Sequence, residues 1–107
     1  MRSLLKRGII LSTMTRQKRK YAIVDLEATS AGSNAKIIQV GIVIVENGEI
    51  THSYETDVNP HERLDEHIKQ LTGLTDARLR KAPEFAQVAK EIVELIIEAV
   101  FVALNVR

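Results

Sequence analysis

From residue 21 the apolar positions follow the period of strands, and after residue 64 they shift to the period of helices. Residues 21–27, "YAIVDLE", read as a strand, and the turn-rich "SAGSN" of residues 30–34 ends it. From Ile37 to Val45 the sequence is nearly continuous in β-branched residues, broken by Gln39 and Gly41, which predicts a strand buried on both faces. Asn47 and Gly48 both tolerate positive φ, the requirement of a type I′ hairpin, so a third strand at residues 50–58 folds back antiparallel. Residues 65–71 predict a short helix closed by Gly73 as a left-handed cap, and Thr75 or Asp76 opens a second. Pro83 opens a longer helix reaching Ala99, with Val88, Ile92, Leu95 and Ile96 on one face and Val93 and Ile97 widening the stripe. Residues 100–104 read as a fourth strand. A meander, helices and a strand returning beside the first predict an α/β domain with a mixed sheet.

Composition narrows the class of protein. A chain of 107 residues holds at most one domain, and 45% apolar with 27% charged residues is the balance of an ordinary folded one. Cysteine is absent, which excludes disulfides and thiolate metal sites and agrees with a reducing, cytoplasmic home. The net charge of +1 hides an asymmetry: residues 1–20 carry seven Lys or Arg and no acid. Residues 1–20 are therefore expected to form a basic flexible leader, with residues 21–107 as the folded part, and Met14 is an alternative start. The leader's longest apolar run, residues 9–11, is too short for a secretory signal or a membrane span, and no membrane partner is expected. Its charge would attract nucleic acid phosphates without sequence preference, or simply be solvated.

The first strand carries the candidate chemistry. Asp25 and Glu27 are two apart, so a strand turns both carboxylates to one face about 7 Å apart along the axis. Such crowding of like charge calls for something positive between them, and carboxylate oxygen is the ligand that hard divalent cations prefer. His52, His61 and His67 fall on a strand, a loop and a helix without a common spacing, and none is assigned as a base. Glu55, Asp57 and the acids of the long helix read as solvated faces.

Taken together, D-x-E after the first strand, then "IIQVG", the hairpin, "NP", "LTGLTDARL", "AP-F" and "FVALN" resemble the DnaQ-like, or DEDD, 3′–5′ exonuclease family on the ribonuclease H-like fold. The wording is nearest to the exonuclease domains fused to DinG-type helicases and to the epsilon proofreading subunit of DNA polymerase III. The resemblance runs from Tyr21 to the end. It implies that Asp25 and Glu27 are catalytic carboxylates and ligands of two Mg²⁺ or Mn²⁺ ions, which would activate water for phosphodiester cleavage. It places Ala28, Thr29, Leu71 and Thr72 beside the terminal nucleotide. Ala28 and Ser30 depart from the family's usual Thr and Gly, and a helix cap accounts for Gly73 without substrate. Single-stranded DNA 3′ ends are the implied substrate, in replication proofreading or repair, with a replicase or helicase module as a possible partner.

The likeness stops short at the C-terminus. The family's second motif runs approximately H-N-x-x-F-D, whereas here Leu104 stands in place of His, Asn105, Val106 and Arg107 follow, and the aspartate would fall past the last residue. The third motif, with its general base and fourth carboxylate, has no counterpart. The sequence thus reads as the front half of an exonuclease domain, incomplete at the C-terminus, inactive or nearly so alone and open to self-association through an uncovered face. The alternative is a non-catalytic module that binds nucleic acid or protein.

Overall fold

The computed structural model describes residues 19–30 and 32–106; residues 1–18, most of the expected leader, lie outside them. The chain runs through β1 (Lys20–Ala28), β2 (Ile37–Glu46), β3 (Glu49–Asp57), α1 (Glu66–Thr72), α2 (Asp76–Arg80), α3 (Phe85–Ile96) and β4 (Val100–Val106). One sheet has the order β3-β2-β1-β4, antiparallel between β1 and β2 and between β2 and β3, and parallel between β1 and β4. This is the expected α/β mixed sheet. Asn47 at φ 52° and Gly48 at φ 81° make the turn between β2 and β3, as a type I′ hairpin requires. A parallel β4 needs a crossover, and the three helices supply it.

Alternation along β1 and β2 sorts side chains onto two faces. Ala22 and Val24 join Val40, Ile42 and Ile44 on one face, closed by Val88, Ile92, Leu95 and Ile96 of α3. On the other, Tyr21, Ile23, Val43 and Val45 pack with half-buried Val102 and Leu104. A third cluster unites Ile38 of β2 with Leu64, Ile68, Leu74 and Leu79, and so seats α1 and α2. Gly73 closes α1 at φ 77°, its N–H donating to the Lys69 carbonyl at 2.8 Å.

The bounds of α3 and β4 differ from the sequence expectation. Helix α3 stops at Ile96, short of Ala99, because Ile97 turns extended and Glu98 takes a φ of 63° to aim the chain into β4. It also begins at Phe85, two residues after Pro83, with Glu84 as the cap, whose N–H donates to Gln87 Oε1 at 2.8 Å. Strand β4 extends to Val106, two residues beyond the expected end. Val93, Ile97 and Phe101 remain more than half exposed, at 53%, 58% and 54%. Among the described residues no helix is long and apolar enough to cross a membrane.

Candidate active site at the end of strand β1

Asp25 and Glu27 sit near the C-terminal end of a strand that has neighbours on both sides. On the β2 side Glu27 pairs with Gln39 but Ala28 pairs with Ile37, so Ile38 is an extra residue. On the β4 side Val24 pairs with Ala103 but Leu26 with Val106, so two steps along β1 face three along β4. Irregularities of this kind bend the ladder and re-aim side chains. Here they bracket the two carboxylates.

Burial separates the pair. Asp25 is 4% exposed and is the one buried charged residue among those described. Glu27 is half-buried, and its Oε2 is shielded from solvent. A carboxylate held away from water is costly unless a positive or hydrogen-bonding group compensates it. Two on one face are donors of the type that suits Mg²⁺ or Mn²⁺, so the residues present fit part of such an ion's coordination. Among the described residues no group of three or more His, Cys, Asp or Glu converges on one point.

The other residues singled out by the sequence have local tasks. Ala28 is buried, so its methyl is part of the packing. Thr29 closes the loop after β1: its N–H donates to the Lys36 carbonyl at 2.9 Å and its Oγ1 accepts from the Lys36 N–H at 3.0 Å. Thr72 Oγ1 donates to the Ile68 carbonyl at 2.8 Å and accepts from the Leu74 N–H at 3.1 Å, tying off the end of α1. Leu71 is exposed at 45%. The helix that carries both joins the sheet through the cluster that Ile68 shares with Ile38, the extra residue opposite Glu27 and Ala28. The histidines are all exposed, and His61 Nε2 lies 3.0 Å from Glu84 Oε1.

The same face holds a group that sequence reasoning passed over. Asp57, read as a solvated acid, is held by Arg78 of α2 through Nε to Oδ2 and Nη2 to Oδ1, the latter at 2.9 Å. Gln39 Nε2 also donates to its Oδ1, at 3.1 Å. The Asp57 carboxylate accordingly pushes the Arg78 guanidinium up from its ordinary value. Thr75 caps α2 by accepting from the Arg78 N–H at 3.1 Å, which fixes where that arginine starts. The "T-D-A-R" string carried a signal for the cap but none for Asp57. Counting back from Glu46 opposite Glu49 sets Gln39 against Thr56, whereas the bulge at Thr51 shifts the register so that Asp57 takes that place.

Residues 22–107 match the RNase_T family model, described as an exonuclease. The chain is 35% identical over 91 residues to "3'-5' exonuclease DinG" of Bacillus subtilis, covering 83% of this chain and 10% of that protein. It is 44% identical over 86 residues to "DNA polymerase III PolC-type" of Staphylococcus epidermidis, covering 79% of this chain and 6% of that one. The chain therefore spans a tenth or less of these curated relatives. Among solved structures, the nuclease domain of 3'hExo, a DEDDh family member bound to rAMP, superimposes with a TM-score of 0.64 at 25% identity, over 74% of this chain and 44% of that one.

Proposed function

Since the chain belongs to the RNase_T exonuclease family, we propose that its β1 end provides the first two carboxylates of a metal-dependent 3′–5′ exonuclease site. The observation that carries this reading is the placement of Asp25 and Glu27 on one face, bracketed by irregularities on both sides of β1. Asp25 is the buried member of the pair, and Glu27 is the half-buried one at the rim. A bound pair of Mg²⁺ or Mn²⁺ ions would supply an activated water and charge stabilisation at the leaving 3′ oxygen. The substrate proposed is the 3′ end of single-stranded DNA, in proofreading or repair, with Ala28 backbone, Thr29, Leu71 and Thr72 lining its approach. The basic residues that precede β1 are read as a leader to the domain, which acts in the cytoplasm alongside a helicase or replicase module.

Two observations favour a second reading, that of a non-catalytic binding module. No third acidic ligand joins Asp25 and Glu27 among the described residues, and Val93, Ile97 and Phe101 offer apolar surface for another copy or a protein partner. Calorimetric titration of Mn²⁺ into the chain and its Asp25→Asn/Glu27→Gln variant separates the two. The exonuclease reading expects measurable binding that the variant loses, and equal heats from both would overturn it.

A further inference from the structure

Register places three side chains in one row across the carboxylate-bearing face: Glu27 on β1, Gln39 on β2 and Asp57 on β3. The far end of the row is clamped. A carboxylate only accepts hydrogen bonds, and Asp57 Oδ1 receives both Gln39 Nε2 at 3.1 Å and Arg78 Nη2 at 2.9 Å, while Oδ2 receives Arg78 Nε. The group that Gln39 turns towards Asp57 must therefore be its NH₂, which leaves Oε1 turned away. Its neighbour on the other side is Glu27, and directly opposed residues bring their Cβ atoms to about 5 Å. The fixed amide thus limits the positions open to the Glu27 carboxylate, whose Oε2 is already shielded from water.

We propose that Arg78, Asp57 and Gln39 form a positioning chain that presets the Glu27 carboxylate for a divalent ion, which rests on the metal-site reading of Asp25 and Glu27. The arginine is anchored at its base by the Thr75 cap, so the chain links helix α2 through two strands to a third. A bidentate Arg–carboxylate pair is the geometry that holds a side chain in one orientation. The pair is half-exposed at Arg78 and stands outside the three apolar clusters, so its loss leaves the core intact. Outer partners that orient a metal ligand typically change metal affinity by about 10- to 100-fold when removed.

The test uses the whole chain and Mn²⁺ alone, followed by electron paramagnetic resonance, with circular dichroism to confirm folding. Gln39→Met keeps the side chain's bulk, and Arg78→Gln alters an exposed helix. Each is expected to weaken Mn²⁺ binding about 10-fold, with a broadened bound-state line, and the double variant to lose no more than either alone. If Glu27→Gln weakens binding while Gln39→Met and Arg78→Gln stay within about twofold of wild type, the positioning chain fails and the metal site stands. Additive losses in the double variant also overturn it, because the two residues would then act separately. If Glu27→Gln leaves binding unchanged, the metal-site reading fails and the positioning chain with it.

Discussion

The two faces of the sheet are built from the same strands but do different work. Under α3, residues 22 and 24 of β1 and 40, 42 and 44 of β2 are all apolar, and Val58, Val88 and the half-buried face of the helix complete a dry layer. On the reverse, the apolar pattern of Tyr21, Ile23, Val43 and Val45 gives way within two residues to Asp25 and Glu27, with Gln39 and Asp57 beside them. A period of two lets one strand carry a core on one side and chemistry on the other. Damage to the first face should therefore appear as lost stability, and damage to the second as lost binding.

The largest effect is expected on the helix-covered face. Ile42 is 1% exposed between the strands and α3, so Ile42→Ala should cost about 2–5 kcal/mol, read from urea unfolding. Across the sheet, Asp25→Asn should lower Mn²⁺ affinity by at least about 10-fold, or about 1.4 kcal/mol, while moving the unfolding midpoint much less. An unfolding loss as large as that of Ile42→Ala would break the comparison, because Asp25 would then belong to the core. Next comes the helix that holds Arg78: Thr75→Ala removes the cap acceptor and should cost about 1 kcal/mol in the same unfolding assay.

The smallest effect is electrostatic and lies away from both faces. Lys69 Nζ is 2.8 Å from Asp76, which also accepts from the Leu64 N–H at 2.8 Å. The Lys69 ammonium, followed by the Leu64 N–H, holds the Asp76 carboxyl below its ordinary 3.8. Asp76 in turn raises Lys69 above its ordinary 10.5. The depressed acid contributes stability above its ordinary value and loses it as pH falls through the lowered folded one. For the raised lysine the contribution is full below pH 10.5 and fades as pH rises through the folded value. The stability difference between wild type and Lys69→Met should thus be flat at neutral pH and shrink at both extremes. A difference that grows in acid would contradict this pairing.

The covered face was legible from sequence because its signals are local. Continuous β-branched residues predicted β2, the Asn47–Gly48 pair predicted its turn, and Gly73 predicted the end of α1. The motif also brought out Asp25 and Glu27, since spacing alone sets them on one face. What escaped depends on irregularity. The periodicity of α3 runs on through Ala99, but the chain must reverse at Glu98 to lay β4 beside β1, and Ala99 keeps its apolar contact without being helical. The pairing of Asp57 with Gln39 and Arg78 needs the bulge at Thr51 and a helix more than twenty residues away, and neither leaves a mark near Asp57. Leu71 and Thr72 were legible as a helix end, but the seating of their helix on the sheet involves Ile38, a residue displaced by another irregularity.

The bulge in β3 also makes the hairpin unequally tolerant of changes in length. Thr51 is the surplus residue between Ile50 opposite Val45 and His52 opposite Ile44, and its hydroxyl donates to Glu46 Oε2 at 2.7 Å. A lineage that lost it would straighten the ladder near the turn and still bring Asp57 to Gln39, because pairing beyond His52 would be unaltered. A single-residue deletion between His52 and Asp57 would instead invert every later side chain and swing the carboxylate to the helix-covered face. The hairpin can therefore change length at its tip without disturbing the acidic end, provided the count from His52 to Asp57 is kept.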